Sequence, residues 1–292
     1  MDEAIIELYE TIERSLPRKN SQVRRAIEKS RLTIADILAK HANPDGTIPR
    51  GKVNVILDEI LALENEIYRN LQRELRLVLE DVAQKTTIGL AEAIIAYIGI
   101  SQLIEVVGLP AALAELTIGS VEAVFSALTG TTYRNHVNST VSSAFNRIGE
   151  DGLVLNDRIR NIAQVLRNEI EVTLRQSIRR GEGTTEIFRR LEQVFSDLSW
   201  RLDVITETEA LYTLRQTIGK FAEDSGIFKA LKIVDFPHGE PGEHERHKCY
   251  IYAHRDEHGL GEGVYPVGTR KIRNPHPRCR SVLLPVLIDG LG

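Results

Sequence analysis

Residues 155–198, LNDRIRNIAQVLRNEIEVTLRQSIRRGEGTTEIFRRLEQVFSDL, carry two helical patterns separated by a glycine pair. In the first, Leu155, Ile159, Ile162, Leu166, Ile170, Leu174 and Ile178 recur at steps of three and four, the period that lines up one face of an α-helix. Gly181 and Gly183 stop that helix, because glycine readily takes the left-handed conformation in which helices end. Thr184 then stands where a helix is capped, and Glu186 lies in the first turn, where the positive end of the helix dipole favours an acid. Ile187, Leu191, Val194, Phe195 and Leu198 form the inward side of this second helix. The stretch predicts a helical hairpin, and the fold class is read as mainly α around it.

Toward the N-terminus, a charged, helix-favouring pattern over residues 21–42 runs into HANPDGTIPR (41–50), which gathers the residues that end helices and make turns. Beyond that loop Ile56, Ile60, Leu63, Ile67, Leu71, Leu75, Val78 and Val82 keep helical spacing, and no proline follows before Pro110. A helix over 53–88 would reach roughly 50 Å, so it is expected to lean on other helices or on partner chains. Two more helices are expected over 111–128 and 133–148. Residues 88–109 are apolar, yet Glu92 and Glu105 leave less uncharged chain than the roughly 20 residues a bilayer needs, so they are read as a buried helix.

Toward the C-terminus, a separate helix is expected over 202–221, with Ile205, Leu214, Ile218 and Phe221 facing inward. After Gly226 the composition turns to glycine, proline, histidine and tyrosine. Short strands are expected over 227–235 and 281–288. The organisation read from these shifts is a long-helix assembly region over 1–150, a helical bundle over 151–226, and a small α+β or loop-rich Cys/His module over 227–292.

The chain has 292 residues and a formal net charge of -4, so overall charge gives no reason to expect a nucleic-acid or membrane-surface binder. Two cysteines are too few for a disulfide framework and fit synthesis in a reducing cytoplasm. The acidic start Met1-Asp2-Glu3 lacks the basic segment of an export signal, and none is expected. The glycosylation-like Asn138-Ser139-Thr140 is discarded, since nothing else suggests secretion. A phosphate-cradling P-loop, a dinucleotide-binding glycine motif, a nucleophile elbow and an H-E-x-x-H helix are all missing from the sequence, which removes the commonest enzyme readings.

Three local clusters carry chemistry. His247, Cys249, His276 and Cys279 form two short-spaced pairs, and zinc in structural sites takes four nitrogen or sulfur ligands in a tetrahedron. One structural zinc would supply folding free energy to a segment poor in apolar residues. The alternative is that these are ordinary hydrogen-bonded side chains, with His238, His244, His254 and His258 as further candidates or surface residues. Arg270, Lys271, Arg273, Arg278 and Arg280 form a basic run able to touch nucleic-acid phosphates, against the blander reading of a solvated or salt-bridged face. Glu207 and Glu209 have the E-x-E form used by ADP-ribosyltransferases, but no companion arginine or Ser-Thr-Ser segment accompanies them, and acids two apart on a helix face different ways.

The order of pieces is IRRGEGTTEIFRRL, ITETEA (205–210), FKALKIVD, HKC and NPHPRCRSVLLPV (274–286). It resembles the phage head morphogenesis family, the minor head proteins similar to protein F of phage Mu. The resemblance covers about residues 153–286, and the final segment is its most specific part. Where that family has an arginine before its Thr-Glu pair this chain has Glu207, and a second cysteine after Cys-Arg is Ser281 here. The resemblance implies a non-enzymatic minor capsid protein of a tailed bacteriophage, made in the host cytoplasm and located in the virion head. Its implied partners are the portal protein, other capsid components and packaged DNA, in a multi-subunit assembly outside any membrane. A DNA-binding accessory factor of the virion is the alternative, and an ADP-ribosyltransferase-like enzyme a remoter one.

Overall fold

Helical periodicity on this scale predicts long helices, and a computed structural model, which describes residues 1–107, 119–149, 151–236, 244–289 and 291, contains them. Eight α-helices lie among the described residues: α1 (Asp2–His41), α2 (Val53–Ile98), α3 (Ile100–Val107), α4 (Gly119–Thr129), α5 (Tyr133–Asn146), α6 (Leu155–Arg180), α7 (Thr184–Ser225) and α8 (Lys248–Ala253). Three strands, β1 (Phe228–Val234), β2 (Val264–Pro266) and β3 (Val282–Leu287), make the only sheet among those residues. The protein is therefore mainly α with a small sheet near the C-terminus.

The α6–α7 hairpin ends α6 as its glycine predicts. Gly181 adopts φ 73°, its N–H donates to Ile178 O at 3.1 Å, and Glu182 N–H donates to Ser177 O at 3.1 Å. These two bonds satisfy carbonyls that a helix end otherwise leaves bare. The expected break near residue 200 does not occur: α7 is one helix of 42 residues. No proline or glycine stands at 199–201, Ser199 Oγ donates back to Phe195 O at 2.9 Å instead of capping a new helix, and the buried series Phe195, Leu198, Leu202 keeps its period. The helix expected over 53–88 is likewise longer and closes only at Gly99, φ 78°. Of the helix expected over 111–128, residues 111–118 lie outside the described residues, and α4 takes the rest.

The chain divides into two compact units, neither continuous in sequence: Met1–Leu16, Val78–Ala144 and Glu207–Gly292 in one, Pro17–Leu77 and Phe145–Thr206 in the other. These limits do not coincide with boundaries at 150/151 and 226/227. Helices α1, α2 and α7 each contribute to both units. The second unit is helical, with Val23, Ile27, Ile34 and Leu38 from α1, Ile56, Ile60, Ile67 and Leu71 from α2, the α6 stripe, and Ile187, Leu191, Phe195, Leu198 and Leu202 of α7 buried. Polar ties within it include Arg24 with Asp203, Gln22 with Glu74 and Gln72 with Asn156.

In the first unit, Ile5, Tyr9 and Ile12 of α1 share one core with Leu90 and Ile94 of α2, Phe125 of α4, Leu211, Leu214, Ile218 and Phe221 of α7, and the sheet. Burying several such side chains, each worth about 1.5–3 kcal/mol, is what holds these distant segments together. The sheet order is β2-β1-β3, all antiparallel, with Leu231 opposite both Tyr265 and Pro285. The N–H of Leu283 turns away from β1 and donates to the Tyr9 hydroxyl at 2.9 Å. By the two-residue period of a strand, the nitrogen of Pro285 faces the same way and has no hydrogen to give. Both blunt the outer edge of β3.

Candidate metal centre

The C-terminal module follows from short elements packed on β1 and α7. His247 sits at the extended position before α8, and Cys249 lies in its first turn, fully buried. The loop from Asn274 to Ser281 then leads into β3 and carries His276 and Cys279. His247, Cys249 and His276 offer ligand atoms that all lie within 4.8 Å of one another. His276 Nε2 is 3.0 Å from Cys249 Sγ, and the two imidazole centroids are 4.8 Å apart. Cys279 Sγ also meets Ser281 Oγ at 3.0 Å. Three of the four residues singled out in the sequence, His247, Cys249 and His276, thus form one ligand group, with the buried Cys279 on the same loop as His276.

The cluster is oriented from behind. His276 Nδ1 donates to the carbonyl of Pro277 at 2.9 Å, which leaves Nε2 as the nitrogen facing the sulfurs. Arg278, between the two ligand candidates, has φ 53° and is the only non-glycine with positive φ among the described residues. Its backbone N–H donates to Thr208 Oγ1 at 3.2 Å and its Nε to Glu207 at 2.6 Å, bonds that hold a left-handed turn costing about 1–2 kcal/mol in an L-residue. Glu207 is therefore the acid that docks this loop on α7.

Behind the loop, Arg215 of α7 is completely buried and donates to the carbonyls of Arg273 (2.7 Å), Cys279 (2.8 Å) and Ser281 (3.3 Å). Sequence reading missed it because a charged residue is first taken for surface. The signal was its position: Arg215 interrupts the apolar helical series Leu211, Ile218, Ala222. The electrostatics follow from these contacts. Hydrogen bonding to Cys279, reinforced by burial, pushes the Cys249 thiol up, whereas the same bond, the Arg215 guanidinium and His276 hold Cys279 well below the usual thiol range. Burial alone would depress His276, but its bond to Cys279 and the charge there lift it above its ordinary value.

The basic run is not one surface. Arg273 is buried beneath the loop, paired with Glu223 and bonded to Gln216 and to the Val267 carbonyl, so the expectation that it reaches a phosphate is corrected by its burial. Lys271 pairs with Glu257 and stands over the rings of Tyr252 and Tyr265, and Arg278 pairs with Glu207; Arg270 and Arg280 are exposed. Glu209 is buried within α7, on a different side from the Glu207 that meets Arg278. No described helix is long and apolar enough to cross a membrane.

No family model, curated protein or solved structure matches the chain.

Proposed function

We propose that this protein is a non-enzymatic minor head protein of a tailed bacteriophage, acting in head morphogenesis at the portal vertex, with its C-terminal module stapled by one structural zinc. The single observation that carries the reading is the meeting of His276, from the NPHPRC segment, with His247 and Cys249, their ligand atoms all within 4.8 Å of one another, and Cys279 lies three residues further along the same loop as the fourth candidate. Two thiols and two imidazoles are a donor set suited to tetrahedral zinc, closed to substrate, and the backbone-held His276 presents a ligand nitrogen of fixed orientation. Bound zinc would supply a cross-link between α8 and the loop before β3. His247 and Cys249 would hold it from one side and His276 and Cys279 from the other. The order of the resembling segments supports the phage assignment, and with it a place in the virion head after synthesis in the host cytoplasm.

Elemental analysis of protein purified without a histidine tag tests the metal: about one zinc per chain is expected, and a folded, metal-free sample overturns it. Co-purification with the portal protein of the same genome tests the assembly role, with no association over a range of concentrations as the result against it. A DNA-contacting accessory role is the second reading, resting on exposed Arg270 and Arg280. It requires salt-sensitive DNA binding that weakens in an Arg270→Ala, Arg280→Ala chain.

A further inference from the structure

Cys249 and Cys279 are the only cysteines of the chain, and the fold brings them together from opposite sides of the module, both fully buried. Cys249 Sγ lies 3.0 Å from His276 Nε2, three residues before Cys279 on the same loop, and Cys279 Sγ lies 3.0 Å from Ser281 Oγ; the two thiols also perturb one another's ionisation, Cys249 upward and Cys279 downward. The Cys279 side is the fixed one: Arg215 binds the Cys279 carbonyl and Thr208 binds the N–H of Arg278. Cys249 sits on a helix of only six residues, followed by the exposed segment 254–260. We propose that Cys249 and Cys279 form a reversible disulfide within the centre, at the expense of any bound metal, so that the staple responds to thiol oxidants.

The step balances with a low-molecular-weight disulfide as the oxidant. One cysteine thiolate attacks a sulfur of the external disulfide and displaces one thiolate, giving a mixed disulfide. The other cysteine loses its proton and attacks the protein sulfur of that mixed disulfide, releasing the second small thiol. The two protein thiols are oxidised by two electrons and the external disulfide is reduced to two thiols. Neither sulfur then carries the charge that binds a metal, and His247 and His276 are left as two imidazoles, too few for a structural site. Loss of metal rests on the zinc reading above; closure of the disulfide does not.

The experiment uses the full-length, untagged chain loaded with zinc, titrated with oxidised glutathione. The readouts are intact mass, thiols open to alkylation after unfolding, and zinc captured by a chromogenic chelator. The expected product is lighter by two hydrogens, carries no glutathione, has lost both alkylation sites and has released its zinc in equal amount; dithiothreitol should restore the mass and both thiols, and added zinc should then rebind. Cys279→Ser should stop at a single glutathione adduct on Cys249. Glutathione on both cysteines, or two thiols still free under conditions that oxidise the unfolded chain, overturns the proposal. A chain that binds no zinc yet closes the disulfide removes the metal reading and leaves this one standing. Zinc that stays bound throughout oxidation does the reverse.

Discussion

Replacing Arg215 by methionine keeps the length and apolar stem of the side chain while deleting the guanidinium that three loop carbonyls share. The two short bonds, to Arg273 O at 2.7 Å and Cys279 O at 2.8 Å, have a charged donor, and such bonds are worth about 1.5–3 kcal/mol each. Their loss gives roughly 3–6 kcal/mol, and the 3.3 Å bond to Ser281 O adds little. Arg215 is completely buried, so solvent screening does not discount this figure. Set against a typical total of about 5–15 kcal/mol, the substitution should remove a large share of the stability of the unit containing Glu207–Gly292. Urea unfolding followed by circular dichroism measures the loss, and amide exchange locates it. Protection should fall first across β1, β3 and the 274–281 loop, while residues 155–198 keep theirs. Arg215→Lys should recover at most about half, since one ammonium does not reproduce the fork that reaches both short-bonded carbonyls. A change within about 0.5 kcal/mol of wild type, or protection lost evenly over the whole chain, would refute the idea that this side chain anchors the loop.

His136 is fully buried beside Phe125, 3.7 Å from Asp224, and burial with the nearby Lys220 lowers its pKa from the ordinary 6.5 to about 4. Between those values only the unfolded chain takes the proton, so stability should be lost as pH falls from about 6.5 toward 4, by up to about 3 kcal/mol; His136→Leu should flatten that slope in urea titrations across the window. Gly263 has φ 72°, and an added Cβ would come within 2.7 Å of Ala253 O and 2.8 Å of Ile233 O, so Gly263→Ala should cost about 2–4 kcal/mol in thermal or urea unfolding, where an unchanged midpoint would count against the described turn. Tyr9→Phe leaves the buried Leu283 N–H without its acceptor and should cost about 1–2 kcal/mol, read as faster exchange of that amide; equal exchange in both proteins would contradict the contact.

The hairpin was legible because its information is local: an unbroken stripe, then Gly181 in the left-handed conformation that glycine favours. His247, Cys249 and His276 were legible as members of two short-spaced pairs, although nothing in sequence says that α8 and the 274–281 loop meet. Other features rest on long-range packing and left fainter marks. The continuity of α7 was hidden because its buried stripe passes through the polar Thr206 and then widens to nearly every position from Thr208 to Arg215, so the apolar pattern of a single face is lost. Strand β2, of three residues, is too short for a period-two pattern. Residues 1–16 and 78–144 join the C-terminal module in one core, a partition that reading along the chain does not reveal. Arg215 and Arg273 were hardest, since their charges find compensation only in the folded loop. Gly219 was the one hint of the second: an added Cβ there would lie 2.5 Å from Arg273 Nε, so the glycine makes room for that guanidinium on α7.

The blunted strand β3 has a bearing on solution behaviour. A bare margin of amides and carbonyls invites a neighbouring molecule to continue the ladder, and repeated pairing of that kind leads to fibres. Here one amide is spent on a phenol and the next position is an imino acid, while the opposite margin, β2, is three residues long and ends in Pro266. Ordered growth through this sheet is thus terminated at both ends, and crowding of many copies need not turn the C-terminal module into a template for aggregation.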